Sequence, residues 1–212
     1  IARSPEPDWY AAMARALDQL TDAACKYNVP IICAGDIFDH WNAPAECINF
    51  AMEMLSPYKV PKGFYAVPGQ HDLPLHNYED MNKSAFYTLV KAGIVRLLPP
   101  DKTITPAGHK MFVQGAPWGQ AIPAPEWSKT GMLNVAVVHS YIWKKGYSYP
   151  GAPKEQTTRA YFKKLKGYDA AVFGDNHKGF DVDMDGIAVW NCGGLMRRKI
   201  DEVNYTPRLG LL

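Results

Sequence analysis

The chain has 212 residues, 47% of them hydrophobic and 21% charged, which suits one sizeable globular core and excludes collagen-like and low-complexity chains. The net charge of +2 names no partner, although residues 1–140 carry 11 basic and 13 acidic side chains while 141–212 carry 12 and 8, a mildly basic last third. No apolar run approaches the ~18 residues that a membrane-spanning helix needs.

Ser4-Pro5-Glu6-Pro7-Asp8 reads as a loop ending in a helix N-cap. Trp9, Met13, Ala16, Leu17, Leu20 and Ala24 then repeat at helical spacing until Asn28 and Pro30. Pro30–Gly35 is a short apolar run suited to a strand buried on both faces. A second helix is predicted over Ala45–Leu55, a strand over Gly63–Val67 and a helix over Met81–Ala92. Short β pieces follow near Ile94–Leu98, Ile104 and Met111–Gln114, and Leu133–Val138 is a clear strand. A basic helix is expected near Thr157–Leu165 and a buried strand at Ala170–Phe173. Asp181–Asp185 with Gly186 reads as a hairpin turn into Ile187–Trp190, and another β segment is expected near Leu209. Strands alternating with helices and then following one another predict a mixed α/β sandwich, taken as one domain over 1–212.

Four cysteines (Cys25, Cys33, Cys47, Cys192) without a C-x-x-C pair make neither a disulfide framework nor a zinc knuckle. Buried free thiols in a reducing, cytoplasmic compartment are the expectation. The chain opens on Ile1, with neither an initiator Met nor a signal-peptide pattern, so its gene is expected to start upstream.

Four of the predicted strands end in polar, metal-competent residues. These are Gly35-Asp36-Ile37-Phe38-Asp39-His40, Gly69-Gln70-His71-Asp72, His139-Ser140 and Gly174-Asp175-Asn176-His177. Residues at the C-terminal ends of strands in an α/β sheet converge on one edge, where such sheets place their sites. Each cluster alone has an ordinary explanation: Asp36 and Asp39 as helix caps, His71 and Asp72 in a turn, His139 as a satisfied strand-end histidine. Together, carboxylate, amide and imidazole donors are the mixture that hard or borderline divalent metals take.

Taken in order, these clusters resemble the motif series of the calcineurin-like metallophosphoesterases. Gly35–Asp39 matches the G-D-x-x-D motif, Gly69–Asp72 matches G-N-H-D/E with Gln for Asn, His139 matches the isolated His, and Gly174–His177 matches G-H-x-H with Asp for the first His. The resemblance implies a sandwich of two mixed β-sheets flanked by helices and two divalent metal ions, manganese or else magnesium. It implies that Asp36 bridges both metals, that Gln70, His139 and Asp175 complete the second site, and that His177 serves the first. His71 would protonate the leaving oxygen with Asp72 orienting its ring, and Asp39 and Asn176 would support the loops from behind. Gln70 carries one more methylene than Asn, so its carbonyl must fold back. Asp175 is harder than His and favours manganese or magnesium. No D-x-H motif precedes Asp36, so the family's first strand, with an Asp and a His for the first metal, is expected to lie upstream of Ile1.

Within that family, Gly35–Trp41, Tyr65–Asp72 and Asn191–Arg198 most resemble the SbcCD-type nuclease subunits that act on DNA double-strand breaks. This implies DNA as substrate, a coiled-coil ATPase as partner and room for a homodimer, in a bacterial or phage-infected cell. Roughly 35 residues remain after His177, which leaves little space for a separate DNA-capping domain. Lys144, Lys145, Lys178, Arg197 and Arg198 are candidate phosphate contacts; Lys163, Lys164 and Lys166 read better as the solvated face of a helix. Tyr141, Trp143, Tyr147 and Tyr149 could stack on unpaired bases or pack within a long loop. Two other readings stand beside a nuclease: a phosphoesterase acting on a nucleotide, lipid or phosphoprotein, and a non-catalytic scaffold whose metal site has decayed.

Overall fold

A computed structural model describes residues 8–125, 131–196 and 204–212. Asp8 caps the first helix by accepting the Ala11 N–H, and α1 runs over Trp9–Tyr27 until Asn28 turns left-handed and returns its N–H to the last carbonyls. The chain then enters β1 (Ile31–Cys33), α2 (Ala45–Met54) and β2 (Phe64–Ala66). The helix expected over Met81–Ala92 is divided. A 3-10 segment, Tyr78–Lys83, stops at Ser84, whose hydroxyl accepts the Tyr87 N–H and starts α3 (Ala85–Lys91) afresh. A local cap overrides the continuous periodicity there. β3 (Val95–Leu97), β4 (Met111–Ala116) and β5 (Leu133–His139) follow.

Thr157 caps a short α4 (Thr158–Tyr161), which tightens into a 3-10 turn over Phe162–Leu165 where a longer helix was expected. β6 (Ala170–Gly174), β7 (Phe180–Met184) and β8 (Ile187–Asn191) close the fold. Asp181–Met184 is therefore strand, and only Asp185-Gly186, both at positive φ, makes the hairpin turn. No strand forms among the described tail residues 204–212. The tail is held by the Tyr205 hydroxyl donating to Cys192 O at 2.6 Å and by Gly210 packing so near the Trp190 ring that a Cβ would stand 2.6 Å from it, contacts that use side chains rather than a ladder.

The strands form two sheets, one of three parallel strands in the order β1-β2-β3 and one of five in the order β4-β5-β6-β8-β7, antiparallel only between β7 and β8. Side chains alternate strictly between layers. Phe64 and Ala66 face the α1–α3 side, whereas Tyr65 and Val67 join Val135, Val137, Ala170 and Val172 in the core between the sheets. Ala136, Val138, Ala171 and Phe173 point the other way, into a third cluster with Tyr161 and Leu165. The expected sandwich of two sheets flanked by helices is the observed architecture. All four cysteines are free, but the expected burial is not met: Cys25 is exposed near the end of α1, and Cys33, Cys47 and Cys192 are half-buried. No described helix is long and apolar enough to cross a membrane.

Candidate metal centre

β1, β2, β5 and β6 end on the same edge, where the two sheets meet. After β1 the backbone turns left-handed at Gly35 (φ 100°) and again at Asp36 (φ 55°), which aims the Asp36 carboxylate back toward the β2 loop. There Asp36 Oδ1 accepts the backbone N–H of His71 at 3.0 Å. His139 is fully buried at the end of β5. Its Nδ1 bonds the carbonyl of Ala34 across the sheet junction, and its Nε2 lies 3.4 Å from Asp36 Oδ2 and 2.6 Å from Gln70 Oε1. Gln70 turns its other amide atom to Asp175, Nε2 donating to Oδ1 at 3.0 Å. Asp175 also has a positive φ, 79°, just after β6. Asp36, His139 and Asp175 thus each place a ligand atom within 4.8 Å of the others, and Gln70 Oε1 joins them.

This crowding explains the glycines. A Cβ on Gly69 would strike Asp36 Oδ1 and stand 2.6 Å from His139 Cε1, and a Cβ on Gly35 would run into the His139 ring. Trp118, following β4, closes another side with its ring edge-on to His139 at 6.2 Å. Sequence reasoning missed this residue, whose one signal is Pro117-Trp118-Gly119 at the end of a strand.

The electrostatics fit a cation. Burial works to raise the Asp36 carboxyl, but the hydrogen bond and charge of His139 and the His71 N–H prevail and hold it below the usual carboxylate range. Burial works to lower His139, yet Asp36, the Ala34 carbonyl and the Asp175 charge raise it. Both ring nitrogens of His139 face acceptor oxygens, so Nε2, Gln70 Oε1 and Asp36 Oδ2 are reconciled only by a proton or a metal between them. The residues present therefore fit a divalent ion with hard, oxygen-rich coordination. A soft thiolate does not join them: burial pushes the Cys33 thiol up to about 12, and its Sγ points to Gly35 O.

The remaining candidates fall around this centre. His177 is half-buried beyond Asp175 and is not among the three residues whose ligand atoms cluster. Asp39 is exposed in the loop after Asp36. Asn176 is buried and ties two loops, its Nδ2 donating to Ile142 O and Tyr147 O, both at 2.8 Å. The His71 ring is exposed on the rim. Asp72 is completely buried, and its carboxylate accepts three backbone N–H groups, from Ile37 (3.2 Å), Phe38 (3.0 Å) and Gly69 (3.0 Å). Expected to orient the His71 imidazole, Asp72 instead pins the β1 and β2 loops together. Neighbouring positions in sequence place Asp72 inward and His71 outward. Burial, then the Asp36 charge, push Asp72 up to about 7 against the pull of those amides.

The basic candidates are less gathered. Lys144 is engaged, its Nζ donating to Asp181 O at 2.8 Å and lying over the Tyr147 and Phe180 rings. Lys145 is exposed, Lys178 is half-buried, and Arg197 and Arg198 lie outside the described residues. Trp143 donates to Pro153 O and Tyr147 packs on Phe180, so these two aromatics serve the loop, while Tyr141 and Tyr149 form an edge-on pair at 5.2 Å.

Comparison with solved structures gives the following similarities. Sulfate thiohydrolase SoxB of Thermus thermophilus in complex with glycerol is 12% identical with a TM-score of 0.51, over 85% of this chain and 38% of that one. Phosphopantetheinyl hydrolase PptH of Mycobacterium tuberculosis is 14% identical (TM-score 0.49, over 85% and 88%), and the Thermus thermophilus protein TT1561 is 15% identical (TM-score 0.47, over 85% and 84%). No curated protein matches the sequence. Residues 6–179 match the model of the calcineurin-like phosphoesterases. That match spans most of the sequence, and the chain belongs to this family of metal-dependent phosphoester hydrolases.

Proposed function

We propose that this protein hydrolyses phosphodiester bonds in DNA, with manganese or magnesium held by Asp36, Gln70, His139 and Asp175. The observation that carries the reading is the meeting of these four side chains next to the exposed His71. Gln70 and Asp175 are the two substitutions within the motifs that are present, and they bond to each other, which argues for a rebuilt site and against a decayed scaffold. DNA as substrate is supported by the resemblance of Gly35–Trp41 and Tyr65–Asp72 to double-strand-break nucleases. The same resemblance supports a coiled-coil ATPase as partner and His177 as a ligand of a first metal.

When bound, divalent ions supply Lewis acidity to the phosphoryl group and to the attacking water. The chain's own residues do the rest. Asp36 and His139 are fixed by the His71 N–H and the Ala34 carbonyl, Gln70 links the two halves of the donor set, and the solvent-facing His71 imidazole delivers a proton to the leaving oxygen.

The test is cleavage of labelled single- and double-stranded oligonucleotides with manganese, over a salt series from about 50 to 200 mM. Cleavage is expected and should weaken steeply with salt, because contacts to the phosphate backbone release counterions. DNA left intact under conditions where bis(p-nitrophenyl) phosphate is hydrolysed would remove DNA as the substrate.

A further inference from the structure

The segment after Asp72 carries a corner that folding alone does not explain. Leu73 and Pro74 are buried, and the chain then turns left-handed at two successive ordinary residues, Leu75 (φ 51°) and His76 (φ 57°). L-residues avoid this region because Cβ crowds the following carbonyl, and Gly or Asn is the usual occupant. Leu75 gains nothing for its position, being 89% exposed. His76 is anchored beside the metal centre, Nδ1 bonding Gln70 O at 2.9 Å with its ring edge-on to His71 at 6.4 Å. An exposed, strained Leu beside a tethered His, on the rim that carries His71, is the pattern of strain held for a ligand.

We infer that the Leu75–His76 corner binds the nucleotide flanking the scissile phosphate, Leu75 packing its apolar side chain on the base or sugar and His76 directing Nε2 to the adjoining phosphate. The bond from Nδ1 to Gln70 O orients the His76 ring, so the corner and the metal centre are set by the same residue. The inference rests on the DNA reading above and adds a specificity element outside the motif series: apolar contact beside the reacting phosphate, which a bare phosphate ester could not use.

The test measures binding of a fluorescein-labelled phosphorothioate oligonucleotide of twelve residues to the full chain with manganese, by anisotropy, alongside manganese calorimetry and thermal melting. Leu75→Gly and Leu75→Asn both relieve the backbone and remove the apolar contact. Each should raise Tm yet raise the oligonucleotide Kd about tenfold, the loss expected for one buried Leu side chain, with manganese affinity unchanged. Leu75→Met should restore most of the affinity. His76→Gln should weaken oligonucleotide binding by a smaller factor. An unchanged Kd in Leu75→Gly, in a protein of higher Tm, overturns the inference while the DNA reading stands. Failure of the unsubstituted protein to bind the oligonucleotide while binding manganese overturns both.

Discussion

Gln70 Oε1 lies 2.6 Å from His139 Nε2, and Asp36 Oδ2 lies 3.4 Å from the same nitrogen. Since Nδ1 of the ring is already committed to Ala34 O, these oxygens face Nε2 as acceptors. A proton satisfies them in the metal-free protein, and a divalent ion would take its place. Metal binding and proton release are thereby coupled at this histidine.

The coupling has a sign. His139 is raised in the fold, so its imidazolium contributes stability that is complete below the ordinary value of about 6.5 and is lost as pH rises through the raised value. Asp72, pushed from 3.8 to about 7, acts in the same direction, its advantage present at low pH and lost as pH approaches neutrality. The metal-free chain should therefore lose Tm as pH rises from about 4 past about 7, first through Asp72 and then through His139. Manganese affinity should rise over the same range, and the calorimetric heat of binding should vary linearly with the buffer's ionisation enthalpy, the slope giving the protons released. A metal-free Tm that climbs across this window contradicts a charged His139.

Gln70 spans the site because its extra methylene lets one amide reach both His139 and Asp175. Gln70→Asn withdraws that amide by about 1.5 Å, one carbon–carbon bond, and parts it from at least one of the two. Restoring the family's usual residue should thus weaken metal binding here, by about tenfold or more, the scale seen when groups that hold ligands are removed. Calorimetry with manganese measures it. Equal affinity in the Asn variant would mean that metal binding does not need the longer reach of Gln70.

Asp72 carries a stability prediction rather than a catalytic one. Asp72→Ala leaves the amides of Ile37, Phe38 and Gly69 without their acceptor in a dry interior, and should cost roughly 3 kcal/mol or more. Asp72→Asn, with its oxygen toward Ile37 and Gly69, orphans only Phe38 N–H and should cost about 1–2 kcal/mol. Denaturant unfolding of both variants gives the order. Similar losses in the two would show that the amides find other partners.

How far the sequence announced this arrangement depended on the range of each interaction. Asp8, Asn28 and the apolar runs of β5 and β6 act through neighbours a few residues away, and their elements fall where the pattern placed them. The motif series likewise brought Asp36, Gln70, His139 and Asp175 together because each stands at or after the C-terminal end of a strand that ends on the same edge. What was hidden is non-local or conformational. Asp72 reaches back 35 residues to Ile37, and no spacing rule distinguishes that from a side-chain pair with His71. The Ser84 cap competes with an unbroken helical periodicity, and positive φ at Leu75 and His76 contradicts the preference of both residue types.

His71 joins the two halves of the site through different atoms. Its backbone N–H holds Asp36 Oδ1, while its imidazole is exposed on the rim. His71→Ala deletes the ring and keeps the amide, so the Asp36 carboxylate stays in place and manganese affinity should remain within about twofold. Turnover should fall by about 10²–10⁴, the range associated with a positioned proton donor. His71→Pro removes the amide as well and should lose metal affinity together with activity, since proline has no N–H to give Asp36. Manganese calorimetry beside cleavage assays on both variants separates the two roles. A His71→Ala protein that loses metal and activity in parallel would place the imidazole among the ligands and end its assignment as the acid.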